Sequence, residues 1–297
     1  MIERKTPGLW RDITIAGRDG ITLYGRHYPA PGSTRRPVLC LAGLTRNSRD
    51  FHMLAAALSK CGDKARDIFT FDCRGRGQSE YASSWKDYIV PVEMLDVQDF
   101  MASQHLHGAS IIGTSHGGLI AMALAAIQPS SIGAVVLNDI GPVLEKAGMM
   151  RITHYVGKTP VPGTWDAAAA QLKHTAGQMF PTLHEAEWTA IARQWFNDED
   201  GHPALGHDPA IARTFVFDPN AIPQLWPQFL ALSHVPCFVV RGALSDILSA
   251  KTVQQMCRRH PRCSALEVPA EGHAPLLRDQ LTIGAIIDFL HRADDGP

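Results

Sequence analysis

Six short apolar runs constrain this 297-residue chain more than any other feature. They span residues 37–41, 68–71, 110–112, 134–137, 237–240 and 265–268. Most are apolar on both alternations, the pattern of a strand covered on two faces. Helical patterns lie between most of them, over residues 53–58, 92–105 and 118–127, and a last one over 283–290 closes the chain. Strand and helix in alternation predict an α/β fold: a mostly parallel central sheet with helices on both faces. Ahead of the first run, residues 13–15 and 21–24 flank Arg18-Asp19-Gly20, and Asp-Gly between apolar alternations predicts a hairpin.

The alternation fails between Gly141 and Ser233. That stretch reads as helices over 143–155, 165–178, 183–196 and 209–215, and it carries Trp165, Trp188, Trp195 and Trp226. The expected organisation is one core built from residues 1–140 and 234–297, interrupted by a helical cap over 141–233. A second independent domain is the alternative.

Composition excludes several classes of protein. Hydrophobic residues at 45% and charged residues at 19% supply a core and exclude a disordered chain. Lys plus Arg at 28 balances Asp plus Glu at 29, which argues against a dedicated nucleic-acid binder or a polybasic membrane-surface protein. The charges near the start are followed by no apolar segment, and the longest apolar stretch, residues 119–127, falls far short of the ~20 residues of a bilayer span. Six cysteines without a CxxC pair read as reduced thiols. The expectation is a cytoplasmic protein with no nucleic-acid or membrane partner.

The chemistry concentrates at Gly113-Thr114-Ser115-His116-Gly117, which fits the nucleophile-elbow pattern G-x-S-x-G between a strand and a helix rich in small residues. Such a turn strains the serine backbone, so its neighbours two positions away must lack side chains. It also puts the Ser115 hydroxyl at a helix N-terminus, where negative charge is favoured. A serine needs a base, and the base an orienting acid. In chain order the candidates are Asp246, after the run 237–240, and His273, after the run 265–268. Both fall in loops at the carboxyl ends of expected strands, where α/β sheets place their sites. Asp139 is the competing acid, ranked second because Asn138-Asp139-Ile140-Gly141-Pro142 leads straight into the insertion. The oxyanion donors expected are the backbone N–H groups of His116 and Leu44, the latter in the loop Ala42-Gly43-Leu44-Thr45.

These pieces, with Phe71-Asp72-Cys73-Arg74-Gly75-Arg76-Gly77-Gln78-Ser79 and Glu271-Gly272-His273-Ala274-Pro275, resemble the α/β-hydrolase fold superfamily, in its capped bacterial esterase- and lactonase-like branch. The resemblance implies a serine hydrolase without cofactor. Ala42 departs from it, because many relatives carry a histidine there. It implies no catalytic role for the loop 72–79, although Arg74 could organise the elbow through hydrogen bonds. Haloalkane dehalogenases and epoxide hydrolases of this fold use aspartate at the elbow, so Ser115 selects acyl chemistry. The expected substrate is a small-molecule carboxylic ester of a small or medium acyl group. A lactone, including an enol-lactone, and a C–C bond of a ring-cleavage product are the alternatives, and a non-catalytic ligand receptor is the last.

Fourteen histidines are about twice the ordinary share and raise the question of a metal. His105-x-His107 lies between a helix and a strand, and Asp198-Glu199-Asp200-Gly201-His202 lacks calcium-loop spacing, so no metal is expected. Trp188 and Trp195, seven apart and so on one helix face, read either as cap core or as a wall of the substrate pocket. Arg46, just past the oxyanion loop, is expected at the pocket edge.

Overall fold

The computed structural model describes residues 8–158, 160–214, 218 and 222–295. Gly20, at a positive φ of 84°, turns the chain between β1 (Arg11–Ala16) and β2 (Thr22–Tyr28), which pair antiparallel. Six further strands follow in the main sheet: β3 (Val38–Leu41), β4 (Ile68–Asp72), β5 (Ala109–Thr114), β6 (Ile132–Asn138), β9 (Cys237–Gly242) and β10 (Cys263–Val268). A separate pair, β7 (Asn197–Glu199) and β8 (His202–Ala204), forms a small hairpin in between. The sheet order is β1-β2-β4-β3-β5-β6-β9-β10, parallel from β4 to β10. All six apolar runs are strands of this sheet.

Period-two alternation sorts the side chains to two cores. Leu39, Leu41, Phe71, Ile111, Val135 and Val239 face one side. There they meet α2 (Val90–Ser103), α3 (His116–Ile127) and α8 (Ala250–Arg259) through Phe100, Leu124 and Met256. Val38, Cys40, Ile112, Val136 and Val240 face the other side, against α1 (His52–Leu58) and α9 (Gln280–Asp294). Burial on both faces is why these strands carry no polar alternation.

The segment between β6 and β9 holds α4 (Lys146–Tyr155), α5 (Trp165–Ala176), α6 (Glu185–Trp195) and α7 (Trp226–Leu230). Only its middle packs on itself: Ala168 and Leu172 of α5 and Trp188, Ile191 and Ala192 of α6 form a third cluster with Phe180 and Phe196. Ile152 of α4 and Phe229 of α7 belong instead to the sheet-side core. The helix expected over 209–215 is a short 3₁₀ turn, Pro209–Arg213, and Phe215 lies outside the described residues. The acidic run 198–202 is the β7–β8 hairpin and its turn. Among the described residues, no helix is long and apolar enough to cross a membrane.

Candidate active site

Ser115 sits between β5 and α3 at φ 50° and ψ −112°, a conformation that costs a non-glycine residue about 1–3 kcal/mol. Its neighbours make that turn possible. A Cβ on Gly113 would strike the backbone of Gly117 and Gly118, and one on Gly117 would strike the Leu41 carbonyl. The Gly118 and Leu119 N–H groups donate to the Ser115 carbonyl at 2.9 and 3.2 Å, closing the first turn of α3 beneath the hydroxyl.

His273 follows β10, and its Nε2 lies 2.8 Å from Ser115 Oγ. The other ring nitrogen, Nδ1, lies 2.8 Å from Asp139 Oδ2. A carboxylate oxygen only accepts, so Nδ1 carries the proton and Nε2 presents its lone pair to the serine. The sequence expectation that Asp246 orients His273 is therefore corrected: the carboxylate on the imidazole is Asp139. It stands one residue past β6, and β6 is the immediate neighbour of β5, so the residue leaving its end emerges one strand away from the nucleophile. Asp139 is fully buried at φ 55°, a left-handed conformation aspartate tolerates. Its Oδ1 accepts from the Gly242 N–H at 3.0 Å, and its Oδ2 also accepts from Ser245 Oγ at 2.6 Å. The last residue of β9 and the loop after it thus supply donors to Asp139 and not the carboxylate that meets His273.

Asp246 turns to α4. Arg151 Nε and Nη2 donate to its two carboxylate oxygens at 2.6 and 2.8 Å. Burial opposes the Asp246 charge, but these bonds and the Arg151 charge outweigh it and hold the carboxyl below its ordinary range.

Beneath the elbow lies a buried charged network that the sequence did not disclose. Glu93 of α2 bridges Arg76 Nη1 and His116 Nε2. Burial alone would raise the Glu93 pKa; the charges of Arg76 and His116 reverse this and pull it down to about 2. Arg76 Nε donates to the Leu44 carbonyl at 2.8 Å. One carboxylate thereby ties together the two residues expected to offer oxyanion N–H groups: His116, which opens α3 where helix N–H groups lack a carbonyl ahead of them, and Leu44. The His116 imidazole is engaged by Glu93. Arg74, proposed from the sequence as an organiser of the elbow, engages Asp96 with two bonds of 2.6 Å and Asp19 with one of 2.9 Å, so it pins the first hairpin to α2 instead. The signal for Arg76 was present in the loop 72–79; nothing in one sequence marks Glu93 among the other polar positions of α2.

Ser115 and His273 open into a cavity of about 420 Å³. Its walls are Leu44, Ile152, Val156, Leu172, Phe180, Ile191 and Trp195, among others. Arg46 lines it, and so does Trp195, the second of the two positions left open for that tryptophan. Trp188 does not: it is 1% exposed in the α5–α6 cluster, because the face of α6 that carries it packs on α5, whereas Trp195 stands at the helix end where the chain turns away. His207, also on the wall, is pushed down to about 4 by burial and by the nearby Arg76 charge.

Comparison with known proteins places this geometry in a class. A model of the alpha/beta hydrolase family matches residues 38–285, and the chain belongs to that family. It is 35% identical over 263 residues to a 3-hydroxybutyrate-oligomer hydrolase of Cupriavidus necator, covering 86% of this chain and 88% of that one. It superposes with a TM-score of 0.88 and 36% identity on the crystal structure of an alpha/beta hydrolase from Novosphingobium aromaticivorans, over 96% of this chain and 99% of the other. E-2-(acetamidomethylene)succinate hydrolase shares the fold at 21% identity and a TM-score of 0.78, with 95% and 99% covered. The protein is a hydrolytic enzyme of this family.

Proposed function

We propose that this protein is a serine hydrolase of carboxylic esters with small or medium acyl groups, including short hydroxyacid oligoesters. The observation that carries the reading is the hydrogen-bonded chain from Ser115 through His273 to Asp139 at the mouth of an apolar-walled cavity. The relative acting on 3-hydroxybutyrate oligomers supports the choice of oligoester, since its likeness spans most of both chains.

His273 Nε2 takes the Ser115 proton as Oγ attacks the ester carbonyl carbon. The carbonyl π pair moves to oxygen, and the N–H groups of Leu44 and His116 receive that oxyanion. Asp139 accepts the Nδ1–H throughout and stabilises the imidazolium. Collapse of the intermediate breaks the C–O bond, and His273 gives its proton to the leaving alkoxide. Water then gives a proton to His273 and its oxygen to the acyl carbon, and the departing Ser115 takes the proton back as the acid is released. The elbow, the oxyanion loop and the cavity wall come from the core and from the segment between β6 and β9, which acts as a cap over the cavity.

Hydrolysis of 3-hydroxybutyrate dimer and trimer beside p-nitrophenyl esters of increasing length tests this reading. Ser115→Ala is expected to lower kcat by about 10⁵-fold or more on every ester cleaved. An alanine variant that keeps its rate overturns the reading.

A further inference from the structure

The cavity wall is unevenly charged. Arg46, Arg151 and Arg278 line it, while Asp50 is its one lining carboxylate among the described residues. Two of these cations are spoken for. Arg151 is held bidentate by Asp246, and Arg278 Nη2 donates to Glu187 at 2.6 Å. Arg46 differs. Among the described residues its side chain makes one hydrogen bond, from Nη2 to Asp50 at 2.8 Å, and its Nε is buried with no acceptor. Its guanidinium carbon lies 3.3 Å from the centre of the Trp195 ring, and the Trp195 Nε1–H is likewise buried with no acceptor. Two N–H donors without partners thus sit together on one wall of the site, where leaving them unpaired is costly. Burial outweighs Asp50 and lowers the Arg46 pKa, as expected of a cation with too little negative charge around it.

The stem of Arg46 starts close to the nucleophile, and both residues line the cavity. A methyl group built on Gly43 would lie 3.5 Å from Arg46 Cγ and 3.8 Å from Ser115 Cβ, so the two side chains flank the same small space. A planar guanidinium whose Nε–H has no acceptor, backed by an indole, matches a carboxylate better than any neutral group. A hydroxyacid oligoester carries such a carboxylate a few bonds from its terminal ester oxygen.

We propose that Arg46, stacked on Trp195, is the subsite that receives the free carboxylate of the substrate, so that the enzyme selects acidic esters over neutral ones. This rests on the ester-hydrolase reading above. Arg46 is then a specificity determinant, and the preferred cut in an oligoester is the ester nearest the carboxylate end.

The test uses 3-(butanoyloxy)butanoate and its primary amide, which share one scissile ester and differ by one charge. Wild type is expected to prefer the carboxylate by about tenfold or more in kcat/KM, the worth of one charge-assisted hydrogen bond. Arg46→Gln is expected to bring that ratio close to one. Because it strands Asp50 in a buried site, the double variant Arg46→Gln/Asp50→Asn, which removes both charges, is measured alongside and is expected to give the same ratio. Arg46→Lys is expected to fall between, keeping the charge and losing the fork. A wild-type ratio near one overturns the subsite and leaves the hydrolase reading standing, as does a ratio that survives in both glutamine variants. If wild type cleaves neither compound nor any p-nitrophenyl ester, the hydrolase reading fails and the subsite with it.

Discussion

Two aspartates follow neighbouring parallel strands, Asp139 after β6 and Asp246 after β9, and their surroundings differ in kind. Asp139 is sealed from water and faces neutral donors: a backbone N–H, a serine hydroxyl and the imidazole. Asp246 is partly open and neutralised by a guanidinium from α4. A carboxylate already neutralised by arginine has little left to offer a developing imidazolium, whereas one held by neutral dipoles keeps its full charge for that task. The comparison teaches that the strand end adjacent to the nucleophile, and not the loop one strand further, places its carboxylate on His273, and so carries the acid of the proposed triad.

The strongest way to break this contrast is Asp139→Asn. The amide keeps the shape but offers Nδ1 the wrong partner, so kcat is expected to fall by about 10⁴-fold on any ester the wild type cleaves. Steady-state kinetics on p-nitrophenyl butyrate reads it, and a loss below tenfold would remove Asp139 from the triad. Glu93 sharpens the same contrast, as a third carboxylate that acts from below. Glu93→Gln is expected to lower kcat by about 10- to 100-fold while KM changes little, because the Leu44 and His116 amides lose their common tether and only the transition state needs them. A change confined to KM would place Glu93 outside that role.

The smallest catalytic effect is expected from Asp246→Asn, with kcat within about fivefold of wild type. Its signature is in stability. The Asp246 pKa is lowered by folding, so its pairing with Arg151 stabilises the protein above the ordinary aspartate range and is lost as pH falls below it. The melting temperature of the variant is expected to lie below wild type at pH 7, with the gap closing toward pH 3. Equal gaps at both pH values would contradict the ion-pair account.

Much of the fold was legible because doubly buried strands leave a plain mark: most of the runs from 37–41 to 237–240 have no polar alternation to obscure them, and only the run 265–268, in the largely exposed edge strand β10, carries a charge, Glu267. The elbow was legible because backbone strain restricts its neighbours to glycine, and Ser115 and His273 lie where their strand ends were expected. The choice between Asp139 and Asp246 was not legible, since it turns on which loop folds back over which strand end. Asp139 looked like the start of the insertion; the chain uses its left-handed turn both to leave the sheet and to aim a carboxylate. Trp188 and Trp195 share a spacing but not a fate, because helix periodicity gives a face and not where the helix stops. The β7–β8 hairpin left no mark because three-residue strands, Asn197-Asp198-Glu199 and His202-Pro203-Ala204, are too short to show an apolar period.

The contrast between the two aspartates is tested most directly by how fast the Ser115 hydroxyl attacks an electrophile when each of them is neutralised. Labelling by a fluorophosphonate, followed by intact and peptide mass spectrometry, reads this without any choice of substrate. The expected result is a single adduct on the Ser115 peptide, formed by Asp246→Asn within about fivefold of the wild-type rate and by Asp139→Asn slower by orders of magnitude. Fast labelling of Asp139→Asn with slow labelling of Asp246→Asn would contradict it.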